Sequence, residues 1–170
     1  MEKKIVKLGL LGCGGRGTGV VSEILGDDNV QLCAICDINP DRVEKARKRF
    51  EKEGVEGLQC FTEMDAFLQS DIDTVYVATD ASLHTDHAIL ALEAGKHVLS
   101  EVPAIDSLEQ AQKLKDAVKA HPEQKYMFGE NACFNAYKVN QGTYNKREES
   151  CVCTADSTWL YLWHHLKVYE

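Results

Sequence analysis

The residues Gly12-Cys13-Gly14-Gly15-Arg16-Gly17 are spaced to hold phosphate. In such a run Gly12 permits a tight turn, Gly14 lets backbone amides approach a pyrophosphate, and Gly17 lets a following helix lie against a sheet. The N–H groups and positive dipole end at the start of that helix then favour an anion. Asp37 follows about 20 residues after the last glycine, where a carboxylate accepts hydrogen bonds from the hydroxyls of an adenosine ribose. The chemistry expected is dinucleotide binding through Gly12, Gly14, Gly17 and Asp37. Because the Asp37 charge repels a 2′-phosphate, NAD is favoured over NADP, while Arg16 and Arg42 lie near enough in sequence to keep NADP open. A methyltransferase loop also uses glycines, but it needs an acid near the end of its first strand, and Leu10-Leu11 stand there.

Other reactive residues read as structural. Cys33 and Cys36 form a C-x-x-C pair, yet three-residue spacing on a strand sends the side chains to opposite faces, so buried thiols are expected rather than a metal or redox centre. His84, Asp86 and His87 read as a solvated helix end rather than metal ligands, and His97 as a core histidine whose hydrogen bonds are met. In the tail, Cys151-Val152-Cys153 with His164-His165 miss the common spacings of structural zinc. No metal is expected.

These residues need elements to hold them. From Lys4 to Phe134 the chain alternates short β-branched runs with helix-patterned stretches, as in βαβ units of a parallel sheet. The strands expected are Ile5–Leu11, Val30–Cys36, Gln59–Phe61, Thr74–Ala78, His97–Ser100 and Tyr126–Gly129, apolar enough to be buried on both faces. Helices fall on Val20–Leu25, on Asp41–Glu53 after Pro40, on a stripe of Ala88, Ile89 and Leu92 ending at Gly95, and on Ser107–Ala120. Ser107 is placed to cap the last of these, with Gln110 reaching back to complete a capping box. The fold class is therefore α/β: a doubly wound, Rossmann-like parallel sheet in a single domain over 4–134. Residues 135–170 form a short atypical tail, too small for a substrate domain.

Of 170 residues, 44% are apolar and 27% charged, which suits a soluble globular protein. The net charge of −8 opposes binding to nucleic acid or anionic membrane. The tail holds as many basic as acidic residues, so all of that charge belongs to the first region. No signal peptide or spanning run is evident and the seven cysteines read as reduced, so a cytoplasmic protein is expected. The run Trp159-Leu160-Tyr161-Leu162-Trp163 is suited to cover bare sheet or to pair with a second copy or another chain.

The glycine run with Asp37, then Val77-Ala78-Thr79 and His84, then Glu93-Ala94-Gly95-Lys96-His97-Val98-Leu99-Ser100-Glu101-Val102-Pro103, resembles the N-terminal domain of the Gfo/Idh/MocA oxidoreductases. That is the family of glucose–fructose oxidoreductase and inositol dehydrogenase. The resemblance implies oxidation or reduction of a sugar or cyclitol hydroxyl through NAD(P), with a second domain supplying most of the substrate pocket. It implies that Gly15 and Arg16 join Gly12, Gly14 and Gly17 in holding the pyrophosphate, that Thr79 and His84 meet the far side of the cofactor, and that Glu101, the acid of the family's Glu-Lys-Pro motif, lies near the nicotinamide ribose. Glu130 and Asn131 would border the nicotinamide. Two departures bear on activity. Val102 replaces the motif lysine, and no Asp-x-x-x-His pair of the kind a substrate domain supplies occurs in the tail. Hydride transfer needs an acid or base within reach of the reacting hydroxyl, and no catalytic residue is identified. This chain is thus expected to be incomplete for catalysis by itself, the alternative being a non-catalytic NAD-binding or protein-interaction module.

Overall fold

The computed structural model describes residues 5–129. The domain boundary drawn at Phe134, the tail residues and their thiols and histidines lie outside that range.

Among the described residues six parallel strands form one sheet: β1 (Val6–Leu11), β2 (Val30–Cys36), β3 (Gln59–Phe61), β4 (Thr74–Val77), β5 (His97–Ser100) and β6 (Tyr126–Phe128). Between them run α1 (Gly15–Ile24), α2 (Pro40–Lys52), α3 (Met64–Leu68), α4 (His84–Glu93) and α5 (Leu108–Ala120). The spatial order is β3-β2-β1-β4-β5-β6, the doubly wound arrangement that the alternation of patterns predicts. From β1 the chain winds outward through β2 to β3, then crosses back to place β4 on the other side of β1. The loops leaving β1 and β4 therefore diverge, and a crevice opens between them at the carboxyl ends of the strands.

The strands form where they do because both faces are covered. Leu8 and Leu10 of β1, Leu32, Ala34 and Ile35 of β2, and Val75, Tyr76 and Val77 of β4 are fully buried, which removes the polar alternation of a one-sided sheet. α2 buries Val43, Ala46 and Phe50 on one stripe. Its start is set by Asn39, whose side chain accepts from the Asp41 N–H at 2.9 Å, with Pro40 in the first turn. Among the described residues no helix is long and apolar enough to cross a membrane.

Three local expectations change. Ser107 caps α5 by accepting from the Gln110 N–H at 3.1 Å, but Gln110 does not return the bond to Ser107. Its side-chain oxygen accepts from the Asp106 N–H at 2.9 Å and from the Thr85 hydroxyl at 3.2 Å, because Thr85 draws the amide across to α4. In the second case β1 and β2 slip register: Leu8 pairs with Leu32 but Gly9 with Ala34, leaving Cys33 as an extra residue. Strict alternation fails across that irregularity, so Cys33 packs against the same apolar cluster that contains Cys36 rather than facing away from it. Lastly, His97 is half-buried rather than in the core, and its Nδ1 accepts from the Lys125 N–H at 3.0 Å.

Candidate functional site

The turn after β1 floors a cleft of about 610 Å³ at the carboxyl ends of β1, β2 and β4, within the ~300–1,000 Å³ range of small-molecule sites. Gly12 has a φ of +100°, and a Cβ there would lie 2.4 Å from the Ala78 carbonyl oxygen. Neither the conformation nor the space admits a side chain. A Cβ at Gly17 would lie 2.4 Å from the Gly12 carbonyl oxygen, so its absence lets α1 sit directly on the turn. Gly14 and Gly15 differ: a Cβ on either meets no protein atom within 4 Å, and both residues line the cleft. Packing does not account for glycine at these two positions, whereas a ligand lying against the backbone would. Gly14 is also the N-cap of α1, without a side chain to occupy the first-turn amides.

Asp37 follows β2 and is almost buried, its side chain 6% exposed. Its Oδ2 accepts from the Cys13 N–H and its Oδ1 from the Asn39 N–H, each at 2.9 Å. The carboxylate is thus fixed against the glycine turn at the cleft wall. Burial, and then the Asp37 charge, push the Cys13 thiol up to about 12. Cys13 contributes a backbone donor there and no thiolate.

The cleft also gathers positive charge. Arg42, Lys45 and Arg49 of α2 line it with Arg16 of α1, and their three- and four-residue spacing puts the α2 cations on one face. Arg42 Nη1 lies 3.9 Å from Asp37 Oδ2, and Arg49 donates to the Thr18 hydroxyl at 3.2 Å. Sequence reasoning singled out Arg16 and Arg42 but not Lys45 or Arg49. Their spacing directly after Asp37 was the available signal, and an acidic chain thereby acquires a locally basic site.

On the β4 side Thr79 and His87 line the cleft, with Thr79 Oγ1 and His87 Nδ1 2.9 Å apart. Burial lowers the His87 pKa from its ordinary 6.5. His84, expected at the cofactor, lies behind the wall instead. It is buried, with Nδ1 2.9 Å from the Pro103 carbonyl oxygen and Nε2 3.0 Å from that of Thr79. His84 opens α4 against the loop after β5, and one turn later His87 reaches the cleft.

Glu101, expected beside a ribose, is likewise turned into the protein. It is buried, and its Oε1 accepts from Arg16 Nε at 2.7 Å and from the Tyr76 hydroxyl. Its Oε2 is 3.3 Å from the Val102 N–H. Burial, and then the Glu101 carboxylate, raise the Tyr76 pKa, keeping the hydroxyl a donor. Tyr76 went unnoticed because nothing local marks it: its partner lies on the adjacent strand's end. Glu130 and Asn131 lie outside the described residues. Among the described residues no three of His, Cys, Asp and Glu gather to hold a metal.

Comparison with known proteins agrees with this geometry. A family model described as an oxidoreductase family with an NAD-binding Rossmann fold matches residues 6–129. Glycosyl hydrolase family 109 protein 1 of Bacteroides thetaiotaomicron is 30% identical over 180 aligned positions, covering 96% of this chain and 38% of that protein. The aligned stretch therefore runs past Phe134, and this chain spans well under half the length of that relative. Scyllo-inositol dehydrogenase from Lactobacillus casei, solved with NAD(H) and scyllo-inositol, superposes with a TM-score of 0.68 at 26% identity, covering 82% of this chain and 42% of the other. A 3-ketoreductase from Actinomadura kijaniata, solved with NADP, gives 0.65 at 26% identity, covering 74% and 38%.

Proposed function

We propose that this chain, which belongs to the Gfo/Idh/MocA oxidoreductase family, binds NAD in the cleft between β1 and β4 and serves as the cofactor half of an enzyme acting on a sugar or cyclitol hydroxyl. One observation carries the reading: Gly14 and Gly15 open onto the cleft with nothing of the protein to exclude a side chain. The amides at the start of α1 face a pyrophosphate there, with Gly12 and Gly17 holding the turn against the sheet. Asp37, oriented by two backbone N–H groups, retains lone pairs for ribose hydroxyls and disfavours a 2′-phosphate. Arg16, Arg42 and Lys45 supply positive charge to the dinucleotide's phosphates. Thr79 and His87 border its far side. NAD, when bound, supplies a hydride acceptor. In this reading a second domain supplies most of the substrate pocket.

Calorimetric titration of NAD into the full chain tests this. Saturable binding that Asp37→Ala weakens about tenfold, the scale of one charged hydrogen-bonding partner lost, supports the reading. No binding by the parent chain would sink it. Val102, an apolar residue where the family motif has lysine, favours a second reading in which the cleft binds NAD without turnover. Nicotinamide absorbance that never changes across a panel of sugars and cyclitols, despite binding, selects that one.

A further inference from the structure

The segment from Glu101 to Ala104 is held from two sides. From α4, His84 meets the Pro103 carbonyl and the Thr85 hydroxyl donates to the Ala104 carbonyl at 2.9 Å. From the glycine turn, Arg16 reaches Glu101 across 85 residues of sequence. Glu101 is 5% exposed and Tyr76 fully buried, while the Arg16 side chain is half exposed and borders the cleft. A buried carboxylate needs charge and hydrogen bonds to compensate its lost hydration. Here Arg16, the Tyr76 hydroxyl and the Val102 N–H meet that need, and the carboxylate makes no part of the cleft wall.

We infer that Glu101 and Tyr76 are positioning residues that act through Arg16, clamping its guanidinium by the Nε edge so that it stands at the pyrophosphate end of the cleft. The inference rests on the cleft being the dinucleotide site. An arginine free to rotate carries rotamer entropy, part of which is lost whenever it engages a ligand. Holding Nε in the apo protein removes part of that loss in advance. Glu101 itself does not line the cleft. The arrangement also ties the glycine turn to the end of β5, so the phosphate-binding turn and the loop after β5 share one buried hydrogen-bond network.

The experiment is a double-mutant cycle on the full chain, read as NAD affinity by calorimetry, with adenosine as the phosphate-free control. Arg16→Ala and Glu101→Gln are each expected to weaken NAD about tenfold, the range of one charge-assisted contact, and the double variant no more than either alone. Adenosine affinity should stay as in the parent. Tyr76→Phe, which removes one donor and keeps the ring, should weaken NAD about two- to threefold and decides the matter if Glu101→Gln fails to fold. Additive losses, unchanged or tighter NAD binding in Glu101→Gln, or an equal loss for adenosine would each overturn the clamp. A parent chain that takes no NAD overturns the cleft assignment and the clamp together. A parent that binds NAD, with clamp variants that bind it equally well, overturns the clamp alone.

Discussion

At the scale of the residue, two glycines in one turn do different work, and substitution separates them. Gly14→Ala adds a methyl group where no protein atom stands within 4 Å, and the backbone there is extended, with φ −69° and ψ 174°. Its thermal stability should match the parent within about 0.5 kcal/mol, as for an unobstructed surface change, while NAD affinity falls. Gly17→Ala drives a methyl group to 2.4 Å from a backbone oxygen, so α1 must move off the turn. A loss of about 1–3 kcal/mol is expected, as for overpacking, measurable by urea unfolding. Cys13 makes a proton-linked prediction. Its thiol rises from an ordinary 9.0 to about 12 in the fold, and that of Cys36 from 9.0 to about 11, both through burial first. Between those limits the native state keeps protons that the unfolded chain has released. Stability from these groups is thus complete below pH 9 and is lost as pH climbs toward 12. Cys13→Ala should flatten the alkaline limb of the stability–pH curve, and an unchanged limb would refute the assignment.

At the scale of the element, start signals were the most legible because they are local. Pro40 and Ser107 each announce a helix within a few residues of sequence, and Ser107 makes the bond expected of it, while α2 is capped by Asn39, which was not singled out. Ser107→Ala should lower stability by about 1 kcal/mol, checked by thermal unfolding, since an N–H at the start of α5 loses its acceptor. Helical elements too short to show a period were not legible. α3 has five residues and the 3-10 turn at Ala81–Leu83 three, less than the two turns over which a helical stripe becomes visible. The turn of Gln110 toward Asp106 and Thr85 escaped for a different reason: α4 and α5 meet only after β5 and β6 are laid beside β4, so local spacing cannot announce Thr85 as a partner.

At the scale of the whole molecule, strand order makes the cleft. β1 and β4 are 66 residues apart at their pairing of Leu8 with Thr74, yet their ends adjoin. 

Those intervening residues, 12–73, complete the half of the sheet that runs out to β3 before the chain returns to β1. The reversal leaves the crevice that the glycine turn, Asp37 and Thr79 surround. If NAD binds there, it stabilises the native state by mass action, about 2.7 kcal/mol at a free concentration of 100 times Kd. A concentration-dependent rise in melting temperature in the parent, lost in Asp37→Ala, is the expected result, and a flat response counts against the cleft as an NAD site. The sequence by itself determined the strands, the glycine turn and the acid that follows β2, because each depends on residue type and spacing within a βαβ unit. Only the tertiary structure decided which side chains line the cleft. Glu101 turns inward to Arg16 and Tyr76, His84 yields the wall to His87, and α2 brings Lys45 and Arg49 to the cleft. Each of those outcomes depends on which element ends lie side by side. That is set by burying both faces of one sheet in a particular strand order, a property of the packed chain rather than of any stretch of it.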